Sequence, residues 1–269
     1  MTTRFRTIVR GALLGAFATL AAGSLAAQAQ DSLKVGIMSG PAEEILAVVQ
    51  GVAEKKGLDL ELVVFGDYVL PNEALAAGEL DANAFQHVPY LDNQIEARGY
   101  EIVPVGNTFV TPIGAYSNSV KSLDELAEGA SVGIPNDPTN GGRALLLLQA
   151  EGLITLKDGV GLTPSVIDIA ENPKALRFVE LDAAQLARAL NDVDAAVINS
   201  NYALEAGLNP AEDSIAQEAR ENNPYANIIA VRVEDKDKPA VKTFVEAYQS
   251  PEVADFLEER FKGSILPAW

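Results

Sequence analysis

The sequence contains no cysteine and only one histidine, His87, among its 269 residues. Without cysteine, a disulfide scaffold, a thiolate metal site and attachment through a lipidated cysteine are excluded. The single histidine lies in no zinc-protease motif, and no serine-nucleophile, nucleotide-phosphate or calcium-loop motif occurs. The sequence therefore gives no positive support for an enzyme, and we predict neither a metal nor another cofactor.

Positive charge is scarce as well. Lysine and arginine number 20 against 38 aspartates and glutamates, which gives a formal net charge of −18. A chain this acidic would meet nucleic-acid phosphates with repulsion, so a nucleic-acid partner is excluded. Solubility is the simplest consequence of the charge.

Residues 1–29 have the three-part pattern of a signal peptide. Three arginines (Arg4, Arg6 and Arg10) precede an uncharged apolar run, which ends in the small-residue motif Ala27-Gln28-Ala29. A spanning helix would need about 20 strongly apolar residues. This run is rich in alanine and glycine, so we expect cleavage and export rather than a membrane anchor.

Strand-like and helix-like segments alternate along the rest of the chain. LKVGIM (33–38) alternates as a strand does, and apolar residues then recur at helical spacing until Gly57. The same alternation restarts after Thr111. This order is typical of an α/β fold with mostly parallel sheets.

We expect two lobes with a cleft between them. The first would hold residues 30–111 and 234–269, and the second residues 112–233, including two crossover strands near Thr111–Ser117 and Asn227–Val233. Two crossings make a hinge, and the cleft between the lobes becomes the predicted ligand site.

The segment from Ile134 to Leu148 is the most informative part of the sequence. It reads as a strand end, a turn with two glycines, and a helix that begins near Gly142. Arg143 would then lie in the first helical turn, where a cation opposes the helix dipole and calls for an anionic partner. That partner is either a ligand carboxylate held by the guanidinium or a structural Asp or Glu, and the segment alone leaves both open.

Aromatic side chains and asparagines accompany this segment. Phe85, His87 and Tyr90 lie close together, and Tyr68 lies in another loop. Such rings form either ordinary core or an apolar slot suited to a thioether. The amides of Asn199 and Asn227 stand at predicted strand ends and can bind both an ammonium and a carboxylate, although turn asparagines are often merely structural.

At these same segments the chain resembles the methionine-binding lipoprotein family, the NlpA group of ABC importer receptors. The resemblance runs from about Leu33 to Trp269. It is carried by DYVLPNEAL, ANAFQHVPYLD, IPNDPTNGGRAL, AVINSNYA and PYANIIAVR, in the order that the family has them.

The resemblance implies a two-lobed periplasmic binding protein fold that closes on methionine. By that resemblance Arg143 would hold the carboxylate, Asn199 and Asn227 the amine and carboxylate, and Asn136 would help from its loop. The side-chain slot would be lined by Tyr68, Phe85, His87 and Tyr90.

The resemblance also implies an ABC permease with its ATPase as partner. Family members usually carry a cysteine just after the signal peptide, whereas this chain reads AAQAQDSL there. We therefore expect a periplasmic protein without a lipid. Three alternatives stay open: a receptor for another small amino acid or a methionine dipeptide, a binding protein that presents or buffers its ligand without a transporter, and an exported α/β enzyme acting on a small carboxylate.

Overall fold

The computed structural model describes residues 1–2 and 31–269. The predicted signal peptide, apart from its first two residues, lies outside the described residues. The helices are α1 (Pro41–Lys55), α2 (Leu70–Ala76), α3 (Val88–Arg98), α4 (Pro138–Ala150), α5 (Leu186–Ala189), α6 (Ser200–Glu205), α7 (Pro239–Tyr248) and α8 (Pro251–Phe261). None of these helices is long and apolar enough to span a bilayer.

The strands, which confirm the predicted α/β fold, are β1 (Asp31–Met38), β2 (Leu58–Phe65), β3 (Ala82–His87), β4 (Ile102–Asn107), β5 (Phe109–Val110), β6 (Gly114–Tyr116), β7 (Ser131–Pro135), β8 (Thr155–Leu156), β9 (Ile169–Glu171), β10 (Arg177–Leu181), β11 (Ala195–Ile198), β12 (Ala216–Gln217), β13 (Asn227–Arg232) and β14 (Leu266–Pro267).

The first five-stranded sheet has the order β2-β1-β3-β13-β4. Its β1 runs parallel to β2 and β3, while β13 runs antiparallel to β3 and β4. Both Val35 and Ile37 of β1 are fully buried. They pack in one apolar core with the inner faces of α1, α7 and α8, for example Ile45, Phe244 and Leu257.

The second five-stranded sheet has the order β10-β7-β11-β6-β12. Here β7 runs parallel to β10 and β11, and β6 runs antiparallel to β11 and β12. The buried face of α4, with Leu145 and Leu148, packs on this sheet in a second apolar core. Each sheet therefore has a core of its own, as two lobes require.

The chain passes between the two sheets twice. The first crossover segment, residues 111–113, joins β5 to β6, and the second, residues 218–226, joins β12 to β13. The sequence predicts β13 as part of the second lobe, but this strand pairs within the first sheet between β3 and β4. The return to the first sheet is thus complete before Asn227, and the outer limits of the lobes stay a prediction.

Two local elements differ from the sequence prediction. Helix α4 begins at Pro138 rather than near Gly142, because the Asp137 carboxylate caps it by accepting from the backbone N–H of Asn140 at 2.9 Å. The segment LDELAEGA forms only a 3-10 turn at Leu123–Glu125. Lys174 donates to the carbonyls on either side of Glu125, so these carbonyls need no further helical turn.

Candidate functional site

A cavity lies between the two sheets, and side chains from both sides line it. Seven of the eight predicted site residues border this space: Tyr68, Phe85, His87, Tyr90, Arg143, Asn199 and Asn227. These residues come from five separate stretches of sequence, which the fold brings to one place. Further lining comes from residues that the sequence did not suggest, among them Met38, Thr111, Asn140 and Asn201.

Strand β3 and the start of α3 place three of the aromatic groups. Phe85 and His87 are two residues apart on β3, so their side chains point to the same face of the strand. Pro89 then occupies the first turn of α3, and the His87 ring caps the helix by accepting from the backbone N–H of Tyr90 at 3.1 Å. The strand-to-helix turn thereby fixes His87 and Tyr90 together.

The rings of the four predicted slot residues form one connected cluster, in which His87 lies 6.1 Å from Tyr90. The Tyr68 ring lies 6.1 Å from those of Phe85 and Tyr90, measured between centroids, and the Tyr90 hydroxyl donates to the Tyr68 carbonyl at 2.9 Å. Tyr202 of α6 lies closer still, at 5.1 Å from Tyr68. Met38 of the first sheet packs in the same cluster together with Ala196 and Ile198 of the second sheet, so the cluster joins side chains from both sheets.

His87 is neutral in the folded protein. Burial, and then the nearby Arg143 guanidinium, lower the pKa of His87 to about 3. Since Nδ1 accepts from the Tyr90 backbone N–H, the proton of the neutral ring is on Nε2, which lies 3.3 Å from Oδ1 of Asn140 and donates to it. His87 thus contributes a fixed hydrogen-bond donor but no charge.

A chain of amides connects α4 to α6 beside His87. Asn140 donates to both carboxylate oxygens of Asp137 at 3.0 Å, and its Oδ1 accepts from Nδ2 of Asn199 at 2.8 Å. The Asn199 side chain therefore does not cap its own helix. Its Oδ1 is buried and has no hydrogen-bond partner among the described residues, as is also true of Nδ2 of Asn201.

Asn227 opens β13 directly beside His87. Its side-chain amide is hydrogen-bonded in the orientation in which Nδ2 donates to the carbonyl oxygens of Phe85 and Gln86, each at 3.2 Å. This residue therefore holds β3 at the level of the aromatic rings and also borders the cavity.

Arg143 has a protein carboxylate as its partner. Its Nε lies 3.0 and 3.1 Å from the two carboxylate oxygens of Glu218, and Nη2 also donates to Glu218 and, at 2.8 Å, to the carbonyl of Thr111. The Tyr225 ring lies 4.2 Å below the guanidinium carbon. Within the described part of the chain Nη1 makes no hydrogen bond, and it is the guanidinium nitrogen left for another group.

Arg143 does not lie in the first helical turn, where the sequence predicts it. Because α4 begins at Pro138, Arg143 is its sixth residue and lies in the second turn, where the helix dipole acts only weakly. The two glycines before it, Gly141 and Gly142, are required for packing. A Cβ on Gly141 would lie 2.6 Å from the Pro135 carbonyl, and one on Gly142 2.8 Å from that of Leu162, so close packing requires both.

Asn136 is not among the residues that line the cavity. It directly follows β7, and its backbone N–H extends the pairing by donating to the carbonyl of Leu181 at 2.8 Å. The helix start four residues earlier than expected puts Asn140, rather than Asn136, at the cavity. Among the described residues, no group of three or more His, Asp or Glu side chains is arranged to hold a metal ion.

Known proteins resemble the chain over most of its length. The model of the NlpA lipoprotein family matches residues 33–269. The D-methionine-binding lipoprotein MetQ of Escherichia coli (strain K12) is 52% identical over 273 residues, with 100% of each chain covered.

Solved structures agree with these matches in fold. A nutrient-binding protein from Burkholderia cenocepacia bound to methionine has a TM-score of 0.86 and 56% identity, over 88% of this chain and 100% of that one. A periplasmic substrate-binding protein of an ABC transporter from Coxiella burnetii has a TM-score of 0.85 and 48% identity, over 88% and 100% of the two chains. These likenesses confirm the predicted periplasmic binding protein fold.

The predicted location needs correction. We expected a periplasmic protein without a lipid, but the matching family and the curated relatives, which cover 88–100% of this chain, are lipoproteins. The expectation rested on the absence of cysteine from the sequence. The absence of cysteine excludes a lipid attached to cysteine within this sequence. It does not show how a member of this family is held at a membrane.

The family match also bears on the choice between a binding protein and an enzyme. The relatives are described as binding proteins and lipoproteins, which agrees with the expectation that the chain is not an enzyme. With a family model matching residues 33–269 and a relative 52% identical over the full chain, the chain belongs to the NlpA lipoprotein family.

Proposed function

We propose that this protein is the substrate-binding protein of an ABC importer and that its ligand is methionine. One observation carries the proposal. The same cavity is lined by the Arg143 guanidinium and buried amides on one side, and by a cluster of aromatic rings with the Met38 side chain on the other. Polar groups of this kind suit the charged end of a free amino acid, and the apolar cluster suits its side chain. The relatives named for methionine support the same ligand.

The charged end of methionine would bind at the polar side of the cavity. Its carboxylate would accept from Nη1 of Arg143, and its ammonium would donate to Oδ1 of Asn199, which is buried and lacks a partner among the described residues. Asn227 borders the same space. Because His87 is neutral, it does not repel the ammonium.

The thioether would lie among the rings of Tyr68, Phe85 and Tyr90. Sulfur placed about 5 Å from an aromatic ring gains roughly 0.3–1.5 kcal/mol, and an unbranched chain adapts to a narrow slot. This favours methionine over branched or charged amino acids. We propose L-methionine as the ligand and include D-methionine because the curated relative is named for it.

Import requires partners that the chain itself does not supply. We propose a membrane permease with its ATPase, since the Coxiella burnetii protein is described as part of an ABC transporter. The closed cleft would present the ligand to the permease, and two crossover segments would allow the cleft to open.

The direct test is to identify the small molecule that the protein carries. Protein purified without denaturation is unfolded, and the molecules released are identified by mass spectrometry. We expect methionine in near-equimolar amount. Release of a methionine dipeptide or of a different amino acid would replace methionine as the ligand while keeping the binding function.

A second measurement tests the function after the carried ligand is removed. A ligand that binds only the folded state stabilises it by about 2.7 kcal/mol at a hundredfold excess over Kd. Methionine should therefore raise the melting temperature more than leucine, glutamine, glycine or histidine does. A flat response to both enantiomers and to methionine dipeptides would contradict the proposal, and conversion of an added methionine ester or dipeptide to new products would favour the enzyme alternative.

A further inference from the structure

Glu218 begins the second crossover segment and binds Arg143 through two guanidinium nitrogens. The Arg143 side chain is only 3% exposed and that of Glu218 only 17%. The pair is therefore largely shielded from water, where charge-assisted hydrogen bonds with two-point geometry are strong and fix orientation.

Each hydrogen-bond partner of the Glu218 carboxylate among the described residues is a donor. Besides Arg143, the side-chain amide of Asn223 donates to it at 2.8 Å and the backbone N–H of Ile113 at 3.4 Å. The backbone N–H of Glu218 in turn donates to the carbonyl of Ile113 at 3.0 Å. Glu218 thus ties the second crossover segment to the first and to α4 at one point.

These contacts leave Arg143 little freedom. Its Nε–Nη2 edge faces Glu218, the other hydrogen of Nη2 goes to the carbonyl of Thr111, and one face stacks on Tyr225. A planar group held along one edge and one face can present only its Nη1 end. The direction of that end is set by the position of Glu218.

We propose that Glu218 is a positioning residue for ligand recognition. It holds the Arg143 guanidinium so that Nη1 meets the ligand carboxylate, and it connects that contact to both crossover segments. The inference rests on the proposed function, in which the ligand is methionine and its carboxylate binds Arg143.

The test compares methionine with methioninol, which keeps the ammonium and the thioether but lacks the carboxylate. Calorimetric titration gives the Kd of methioninol divided by the Kd of methionine, and this ratio is measured for the wild type, for Glu218→Asp and for Glu218→Gln. Asp keeps the charge but is one methylene too short to hold both nitrogens. Gln keeps the shape but turns an amide N–H₂ toward a surrounding of donors.

Glu221→Gln is the matched control. It removes the same charge from the same crossover segment, at a side chain exposed to solvent. Thermal melts of all variants separate loss of folding from loss of recognition, and the shorter Asp variant carries the test should the Gln variant fail to fold.

We expect both Glu218 variants to lower the ratio at least fivefold, mainly through weaker binding of methionine, while Glu221→Gln leaves it unchanged. A merely structural ion pair would lower the melting temperature and leave the ratio within twofold of the wild type, which would overturn the proposal. In an Arg143→Lys background the Glu218 substitutions should have no further effect on the ratio, because their route to the ligand is through Arg143.

The proposed function and this inference fail in different ways. If the wild type binds no methionine, or binds methioninol equally well, the proposed ligand contact fails and this inference with it. If the wild type distinguishes the two ligands and the Glu218 variants do so equally, the function stands and only the role of Glu218 is wrong.

Discussion

The Tyr68 hydroxyl donates a hydrogen bond of 2.6 Å to Oδ1 of Asn201, and this bond joins the two sides of the cavity. Tyr68 follows β2 of the first sheet, whereas Asn201 lies in α6, after β11 of the second sheet. A further bond of 3.1 Å, from the Ser39 hydroxyl to Glu205, connects the same two sides at the surface. Side chains as well as the crossover segments therefore hold the sheets in this arrangement.

Replacing Tyr68 by Phe should weaken methionine binding more than it weakens the fold. The substitution keeps the ring but removes the bond to Asn201, whose net worth is about 0.5–1.5 kcal/mol, or roughly two- to tenfold in affinity. Calorimetric titration measures the affinity, with Tyr100→Phe as the control at a half-buried ring outside the cavity. Equal affinities of the wild type and Tyr68→Phe would show that this bond does not contribute to the ligand-bound state.

Truncation of Phe85 tests whether this residue lines the ligand slot or only belongs to the apolar core. Phe85 is 8% exposed and borders the cavity, whereas Phe244 is fully buried in the core of the first sheet. We expect Phe85→Ala to lower methionine affinity at least tenfold and to cost less stability than Phe244→Ala, for which roughly 3–5 kcal/mol is expected.

Chemical denaturation and calorimetry on both variants decide between the two roles. A large loss of stability with unchanged affinity in Phe85→Ala would make this residue ordinary core, which is the alternative that the sequence left open.

Acid should destabilise the fold through His87. The ring is neutral when folded, with its pKa lowered to about 3, but in the unfolded chain it takes up a proton below about pH 6.5. The unfolded state then binds more protons, so His87 lowers the free energy of unfolding as the pH falls from about 6.5 toward 3 and has no such effect above 6.5. Over that whole window the loss is roughly 4–5 kcal/mol.

Urea denaturation of the wild type and of His87→Gln, from neutral pH down to about pH 4, measures this effect. The variant should lose less stability on acidification than the wild type. Parallel losses in the two proteins would mean that His87 is not the group responsible. Because His87 does not titrate in the folded protein above about pH 5, methionine affinity should stay constant from there to neutral pH.

The sequence predicted well the features that depend on local pattern. Alternation in 33–38 and helical spacing in the following residues identified β1 and α1. Seven of the eight predicted residues meet at one cavity, and most of them were taken from the family resemblance rather than worked out from spacing.

The features that the sequence did not reveal depend on contacts between distant residues. Glu218 lies 75 positions after Arg143, and no local pattern distinguishes it from Glu221, the other acidic residue of its crossover segment. The start of α4 differs from the prediction for another reason. Asp137 followed by Pro138 is a capping signal that outweighs the two later glycines. Asn136 was implied only by the family resemblance, and Asn140 borders the cavity instead.

Arg143 is the residue on which the account depends most. Truncating one partner of a buried charged pair costs about 2–5 kcal/mol, roughly thirtyfold to several thousandfold in affinity. We expect Arg143→Ala to weaken methionine binding within that range. Arg143→Lys should recover only part of it, because one ammonium cannot reach Glu218, the Thr111 carbonyl and a ligand carboxylate together.

The most direct measurement is a double cycle between Arg143→Ala and removal of the ligand carboxylate, with methionine and methioninol titrated into both proteins. The wild type should bind methioninol far more weakly than methionine, and Arg143→Ala should show much less difference between the two. If both proteins distinguish the ligands equally, the two losses are independent. Arg143 would then have only a structural role, as the ion-pair partner of Glu218, and the carboxylate of the ligand would bind elsewhere.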